Sequence, residues 1–250
     1  MLPEVNFTES FSLPTYIVYL SWLFTLLVIC LPWYSRHRQM NLKIALNISL
    51  ILMLSGFIGA RLFHVFYESW PFYREQPERI FYVWLGGFVF LGGAIPAVLV
   101  AALYLYFKKL SFREWADFFA PLGAIGYGLG RVSCFLSGCC YGADCDLPWA
   151  IQGRHPTQLY AVFWELGVAI FLLKFRTKIL KKYKLGGVFW LWVFLHSMGR
   201  IFIEGLRDDF RGPQIFGYSV SSFFCLILVS LSTFQLILGS AKSTDTAVKL

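Results

Sequence analysis

The sequence predicts an all-α integral membrane protein, a single bundle of about seven transmembrane helices over residues 1–250, with the N-terminus outside and the C-terminus inside. Three observations carry that expectation. Of the 250 residues, 58% are hydrophobic and only 14% are charged, whereas a soluble domain carries about a quarter charged residues. Apolar runs close to the ~20 residues that a helix needs to cross a bilayer recur along the chain. Lys and Arg gather in alternate loops between those runs, which is the asymmetry that sets orientation in a membrane. The net charge of +8 lies largely in these short loops. It therefore orients the chain in the lipid bilayer and does not point to nucleic acid as a partner. No cofactor and no metal is expected.

The first run covers 16–33 and follows the acidic opening MLPEVNFTES. That opening lacks the basic flank of a signal peptide, so the run is expected to remain as a membrane span. The second run covers 42–67. The third, 80–107, is interrupted by Gly86, Gly87, Gly92, Gly93 and Pro96, which predict a kink or a re-entrant stretch. The fourth, 115–137, is the least apolar because Pro121 and a series of glycines thread it. The remaining runs cover 157–175, 187–206 and 218–238.

The loops give the orientation. Arg36, Arg38 and Lys43 lie in the first, and Lys108, Lys109 and Arg113 in the third. The fifth, with the end of its preceding helix, holds Lys174, Arg176, Lys178, Lys181, Lys182 and Lys184. The N-terminus has only Glu4 and Glu9, and the fourth and sixth loops carry Asp144, Asp146, Asp208 and Asp209. The odd loops belong in the cytoplasm by their Lys/Arg excess. The fourth loop and residues 207–211 then face outside.

The chemistry concentrates in the stretch 126–160, GYGLGRVSCFLSGCCYGADCDLPWAIQGRHPTQLY. Arg131 stands near the end of an apolar run, where an unpaired charge is costly and so points to function. In the sixth run, HSMGRIFIEGLR, His196, Arg200 and Glu204 recur every four residues and share one helix face. Arg131 and Arg200 have two readings. Each pairs with a carboxylate such as Glu204 or Glu165 to hold helices together, or the two grip a phosphate, for which a guanidinium offers directed bonds. Arg61, in GFIGARLFHVFYE, is either a third member of that site or an interfacial snorkelling residue.

Cys134, Cys139, Cys140 and Cys145 admit a structural disulfide on the outer face, redox or nucleophilic chemistry, or no special role. A metal site is disfavoured, because adjacent Cys139 and Cys140 rarely both point at one ion and no spaced CxxC pairs occur. His155 is an interfacial histidine or a proton acceptor, with Arg154, Gln158 and Tyr160 crowding the same turn, and Thr157 is placed to cap the fifth helix.

GYGLGRVSCFLSGCCYG, RHPTQLY and GRIFIEGLR resemble, in that order, the motifs of the bacterial prolipoprotein diacylglyceryl transferases, and GARLFHVFYE and GGFVFLGGAIP are similar to the family's second- and third-helix motifs. The resemblance implies transfer of a diacylglyceryl group from phosphatidylglycerol to the lipobox cysteine thiol of a preprolipoprotein, at the bacterial plasma (inner) membrane, with glycerol phosphate leaving. It implies catalytic roles for Arg131, Arg200 and Glu204, and places His155, Gln158 and Tyr160 in the HPTQLY motif. Arg61, Gln158, Tyr160 and His196 are expected to contact substrate. The chain departs from the family pattern at four points. The histidine of the HGG motif is Leu91, the asparagine after the first arginine is Cys134, an acidic residue is Cys139, and a tyrosine before the second arginine is His196. Two other functions fit the same residues: a phospholipid-binding paralogue without transfer, and a membrane thiol–disulfide oxidoreductase, against which stands the lack of a CxxC pair.

Overall fold

A computed structural model describes residues 4–8, 11–209, 214–215 and 218–247. Of the residues used above for orientation, Glu9 and residues 210–211 lie outside the described residues. Among the described residues, six helices are long and apolar enough to cross a membrane. The chain divides into two compact units, one of residues 4–112 and one beginning at Arg113.

In the N-terminal unit, a short antiparallel pair, β1 (Glu4–Thr8) and β2 (Phe11–Pro14), leads into α1 (Thr15–Arg38). Gln39 ends α1 in the left-handed region, its N–H bonded to the Arg36 carbonyl, as a C-terminal cap requires. Asn41 then opens α2 (Leu42–Phe63), its side chain accepting the Ile44 N–H at 3.2 Å. After a π-turn (His64–Glu68) and the short α3 (Trp70–Glu75), the chain reaches α4 (Phe90–Phe107). Helices α2 and α4 approach through small residues. A Cβ on Gly93 would stand 2.7 Å from the Gly56 carbonyl oxygen, so the backbones meet at a distance only glycine permits.

The third helix does not begin at residue 80, as the hydropathy suggests. Residues 77–85 form two 3₁₀ turns, Gly86 and Gly87 adopt φ of 87° and 81°, and α4 starts at Phe90. Such non-helical backbone frees carbonyls that need donors where water is excluded. Arg61 supplies them. It is buried, and its guanidinium donates to the carbonyls of Arg79, Ile80, Tyr82, Gly86 and Gly87. Arg61 thus clamps the backbone of its own unit, five acceptors engaging every nitrogen of its fork, and it also borders a cavity of about 350 Å³ with His64 and Arg79.

The C-terminal unit comprises α5 (Phe112–Ser137), α6 (Thr157–Tyr183), α7 (Gly187–Glu204), the pair β3 (Gln214–Ile215) and β4 (Tyr218–Ser219), and α8 (Val220–Ala247). Its core sets Ala120 and Ala124 of α5 against Val168, Ala169 and Leu172 of α6 and Val188 of α7. Helix α7 is formed as the motif required, but it is not among the six candidate spans, because His196, Arg200 and Glu204 interrupt its 18 residues. Its first turn begins after Gly186, which has φ +94° and no side chain to cap it. The cap comes instead from α5: buried Asp117 accepts the Gly186 N–H at 2.7 Å and the Phe189 N–H at 2.8 Å. A carboxylate there satisfies the orphan donors and faces the positive end of the helix dipole.

Asp117→Ala should therefore cost about 2–4 kcal/mol, since it removes two charge-assisted bonds and leaves buried donors unpaired. Thermal unfolding in detergent should show the midpoint falling by at least about 5 °C. An unchanged midpoint would mean that the helix start is held by something else.

Candidate active site

Helices α5, α6 and α7 converge on one pocket because α5 and α6 pack unusually close. At Gly128 an added Cβ would lie 2.9 Å from the Glu165 Cβ, so a larger residue would push α5 off α6. Beside it, Tyr127 and Arg131, four residues apart, share a face of α5. The pocket is lined by these two, by Cys140, by Thr157 and Gln158 at the start of α6, and by Arg200 and Ile203 of α7, with Arg207 just beyond. Its free volume is about 10 Å³, on the scale of one water molecule.

The three guanidinium groups have different partners. Arg200 Nη1 pairs with Glu204 Oε2 at 2.5 Å, and Glu204 also accepts the Ser219 hydroxyl. Arg207 forms a two-pronged bond to Asp209 at 2.8 and 2.5 Å. Burial alone would lower the Arg207 pKa, but the bond to Asp209 with the neighbouring Cys140 and Glu204 more than offsets this and leaves it raised. Arg131 has no carboxylate partner among the described residues; it bonds the Tyr127 hydroxyl at 2.5 Å and lies over the Tyr127 ring, 4.7 Å from its centroid. All three are near enough for Arg131 and Arg207 to act electrostatically on Arg200. Three cations thus face the pocket region against two carboxylates.

Behind Arg131 stands a stack that fixes its direction. The Tyr127 ring packs edge-on to His196, with centroids 4.5 Å apart. His196 Nδ1 lies 2.6 Å from Glu165 Oε1, and Trp192 Nε1 donates to the other Glu165 oxygen at 3.3 Å. Glu165, only 2% exposed, therefore pairs with His196 and not with an arginine.

Residues 138–156 form a small platform of bridges. Gly142 pairs with Arg207, Asp144 with Arg154, and the Ala143 N–H donates to the Leu206 carbonyl at 2.9 Å. The fourth and sixth loops thus lie at one end of this unit, as the charge alternation requires. A Cβ on Gly142 would meet the Leu206 carbonyl oxygen at 2.7 Å, so glycine is needed for that join. The platform is tied to α6 by two side chains: Thr157 Oγ1 donates to the Cys140 carbonyl at 2.7 Å and Gln158 Nε2 to the Cys139 carbonyl at 2.6 Å. Thr157 is therefore not a helix cap. Pro156 holds that position with no side-chain bond, because the threonine hydroxyl is spent on the loop.

All six cysteines are free thiols. Of the three readings of the outer cysteines, the disulfide is not formed here, and the backbone bonds and the Thr157 and Gln158 anchors pin the fourth loop. Adjacent Cys139 and Cys140 nevertheless turn to one side, together with Cys134. The three sulfurs lie within 4.8 Å of one another, because Gly138 and Cys140 both take left-handed φ, 73° and 63°. Bonds to the Cys134 and Cys140 sulfurs raise the Cys139 thiol pKa above its usual range. Cys145 is not part of this group; its N–H bonds the Gly153 carbonyl.

Of the residues singled out in the sequence, Arg131, Arg200 and Gln158 line one pocket and Glu204 holds Arg200. His155 and Tyr160 do not line it. His155 Nδ1 lies 3.2 Å from the Tyr160 hydroxyl, which also accepts from Trp149 Nε1 at 2.9 Å. His196 reaches the pocket only through Tyr127. Sequence reasoning missed Tyr127, whose place four residues before Arg131 on one helix face was the available signal. It also missed Asp117, which nothing local betrays.

The model of the prolipoprotein diacylglyceryl transferase family matches residues 5–238. A phosphatidylglycerol–prolipoprotein diacylglyceryl transferase of Trichormus variabilis is 32% identical over 192 residues, 70% of this chain and 68% of that protein. The proteins of the same name from Thermosynechococcus vestitus and Clostridium tetani are 30% and 31% identical over 219 residues each. They cover 81% and 83% of this chain and 79% and 85% of their own lengths. With helices apolar enough for a multi-pass membrane protein and the paired arginines of two motifs on one pocket, this chain belongs to the prolipoprotein diacylglyceryl transferase family.

Proposed function

We propose that this chain moves the diacylglyceryl group of phosphatidylglycerol to the lipobox cysteine of a prolipoprotein, the reaction for which its relatives are named, in the bacterial inner membrane. The observation that carries the reading is the excess of guanidinium over carboxylate around one pocket. A buried cation without a counter-ion is costly, and a phosphate relieves that cost with bonds the planar fork is shaped to make.

The free volume of the pocket is far below that of a lipid headgroup. A phosphodiester therefore enters by taking over the Tyr127 bond to Arg131 and part of the Glu204 bond to Arg200. Each guanidinium has five donors, so Tyr127 and Glu204 aim the groups without exhausting them. The incoming thiol attacks the glycerol carbon that carries the phosphate ester. A sulfur–carbon bond forms, the carbon–oxygen bond breaks, and its electron pair leaves with glycerol phosphate. Charge grows on that phosphate oxygen as the bond breaks, and Arg131 and Arg200 stabilise it there.

The thiol proton must also go, since the thiolate is the nucleophile. Leu91 stands where the family's HGG histidine would be and accepts no proton. We assign the acceptor to His155, which Tyr160 orients and whose carbonyl is tied to the Cys140 loop through the Gly142 N–H at 3.0 Å. Gln158 borders the headgroup, and His196 holds Tyr127 behind Arg131. The arginine pocket then opens to the outer leaflet, where the Lys/Arg-poor fourth and sixth loops lie.

The test is direct. Purified protein in vesicles of phosphatidylglycerol, given a lipobox peptide, should add a diacylglyceryl mass to the cysteine and release glycerol phosphate. Lipid binding without that mass gain would leave a phospholipid-binding paralogue. Arg200→Lys should lower turnover about 100-fold, because a point charge cannot reproduce two directed bonds to a developing oxyanion; activity near wild type would remove Arg200 from the reaction. His155→Ala should cost at least about tenfold, and full activity would reject the assignment. In intact cells, an impermeant thiol reagent applied after reduction should label at least one of Cys139, Cys140 and Cys145. Labelling only after the membrane is opened would reverse the orientation.

A further inference from the structure

The cysteines of the fourth loop are not used by the transfer reaction, yet three are arranged with care. Cys134 comes from the last turn of α5, and Cys139 and Cys140 follow a left-handed glycine. A residue other than glycine, asparagine or aspartate in the left-handed region is uncommon and strained, and Cys140 is held there at φ 63°. The result turns two adjacent side chains inward on a third. The turn is fixed from outside the cluster, through the Cys139 and Cys140 carbonyls, by Gln158 and Thr157. The convergence of sulfurs is thus built into the fold and needs no cross-link to maintain it.

We propose that Cys134, Cys139 and Cys140 form a three-sulfur site for one soft, low-coordinate metal ion, Cu(I), beside the arginine pocket. The size fits. With metal–sulfur bonds of about 2.3 Å, as found for zinc, three sulfurs around one ion lie about 4 Å apart, so sulfurs within 4.8 Å need to close by less than about 1 Å. The ligand set selects the ion. Thiolate sulfur favours Cu(I) and zinc, but structural zinc requires four ligands, and no fourth His, Cys, Asp or Glu joins the trio among the described residues. Three thiolates alone satisfy a trigonal monovalent ion. Cys139 is exposed and gives the ion a way in.

Charge supports the same assignment. On binding, each thiol gives up its proton to solvent, so one Cu(I) and three thiolates leave a net charge of −2. Arg131 acts electrostatically on Cys134 and Cys140, and Arg207 on Cys140. Arg131 offsets part of that charge, as a partly buried anion requires, while Arg207 is already paired with Asp209. Cys140 also lines the arginine pocket. Occupancy therefore draws on the same Arg131 that a phosphate would use, and Cu(I) and a phospholipid headgroup should oppose one another. That last consequence rests on the transferase reading of the pocket; metal binding itself does not.

The test uses the full chain in detergent, reduced, under anaerobic conditions. Titration with Cu(I) against a chromogenic chelator should give one ion per chain, and X-ray absorption should show a sulfur-only shell. Cys134→Ser, Cys139→Ser and Cys140→Ser should each weaken binding more than about 100-fold, beyond the 10–100-fold that loss of an outer contact costs. Cys145→Ser should bind as wild type. The direct spectrum of the wild type keeps the proposal testable if a variant misfolds. Equal uptake by wild type and the triple serine variant would overturn the site. So would failure of the reduced protein to bind Cu(I), and preference for zinc with a mixed sulfur and oxygen shell would overturn the choice of ion. Copper binding without any effect on phospholipid binding would leave the metal site standing and remove only its coupling to the pocket.

Discussion

Arg131 is a cation lining a narrow pocket with no carboxylate partner among the described residues, and much of the C-terminal unit is arranged to make that tolerable. Tyr127 gives it a hydroxyl acceptor and an aromatic face. Tyr127 in turn rests on His196, and His196 on buried Glu165, which also takes the Trp192 indole. This stack crosses three helices and requires α5 and α6 to meet at Gly128. A large change at any layer would leave either a buried carboxylate or a buried cation without its partner, which costs more than the net worth of the pair.

The two units use arginine in opposite ways. Arg61 is surrounded by carbonyl acceptors, and its donors close the irregular backbone between the π-turn and α4. Arg131 and Arg200 line one pocket, each with a single side-chain acceptor, the Tyr127 hydroxyl and the Glu204 carboxylate. The first arrangement is a finished structure. The second leaves donors over, which under the proposed function a phosphate would take up as charge develops on it.

The RHPTQLY element shows how far one short motif serves both ends. Thr157 and Gln158 are buried and bonded to loop carbonyls, so half of it is scaffold. Those same bonds place Gln158 on the arginine pocket and turn Cys139 and Cys140 towards Cys134. The loop is irregular but not loose, because bridges to residues 154 and 207 satisfy its backbone from two sides.

The membrane character and the identity of the charged helix were legible in the sequence by itself. Hydropathy and four-residue spacing are local properties, and burial of a span in lipid makes composition nearly sufficient. The same locality explains the errors. The third helix begins at Phe90 and not at residue 80 because two left-handed glycines and a distant arginine decide where backbone bonding resumes. Arg61 and Arg131 look alike in sequence, both basic residues beside glycines in apolar runs, and only the structure shows that Arg61 meets five carbonyls of a later segment while Arg131 meets Tyr127 of its own helix. The partner of Glu165, the cap that Asp117 lends to α7, and the meeting of three sulfurs likewise depend on contacts between residues far apart in the chain or on single backbone angles. No periodicity encodes those contacts, since a hydrogen bond is set by position in space and the sequence records only order.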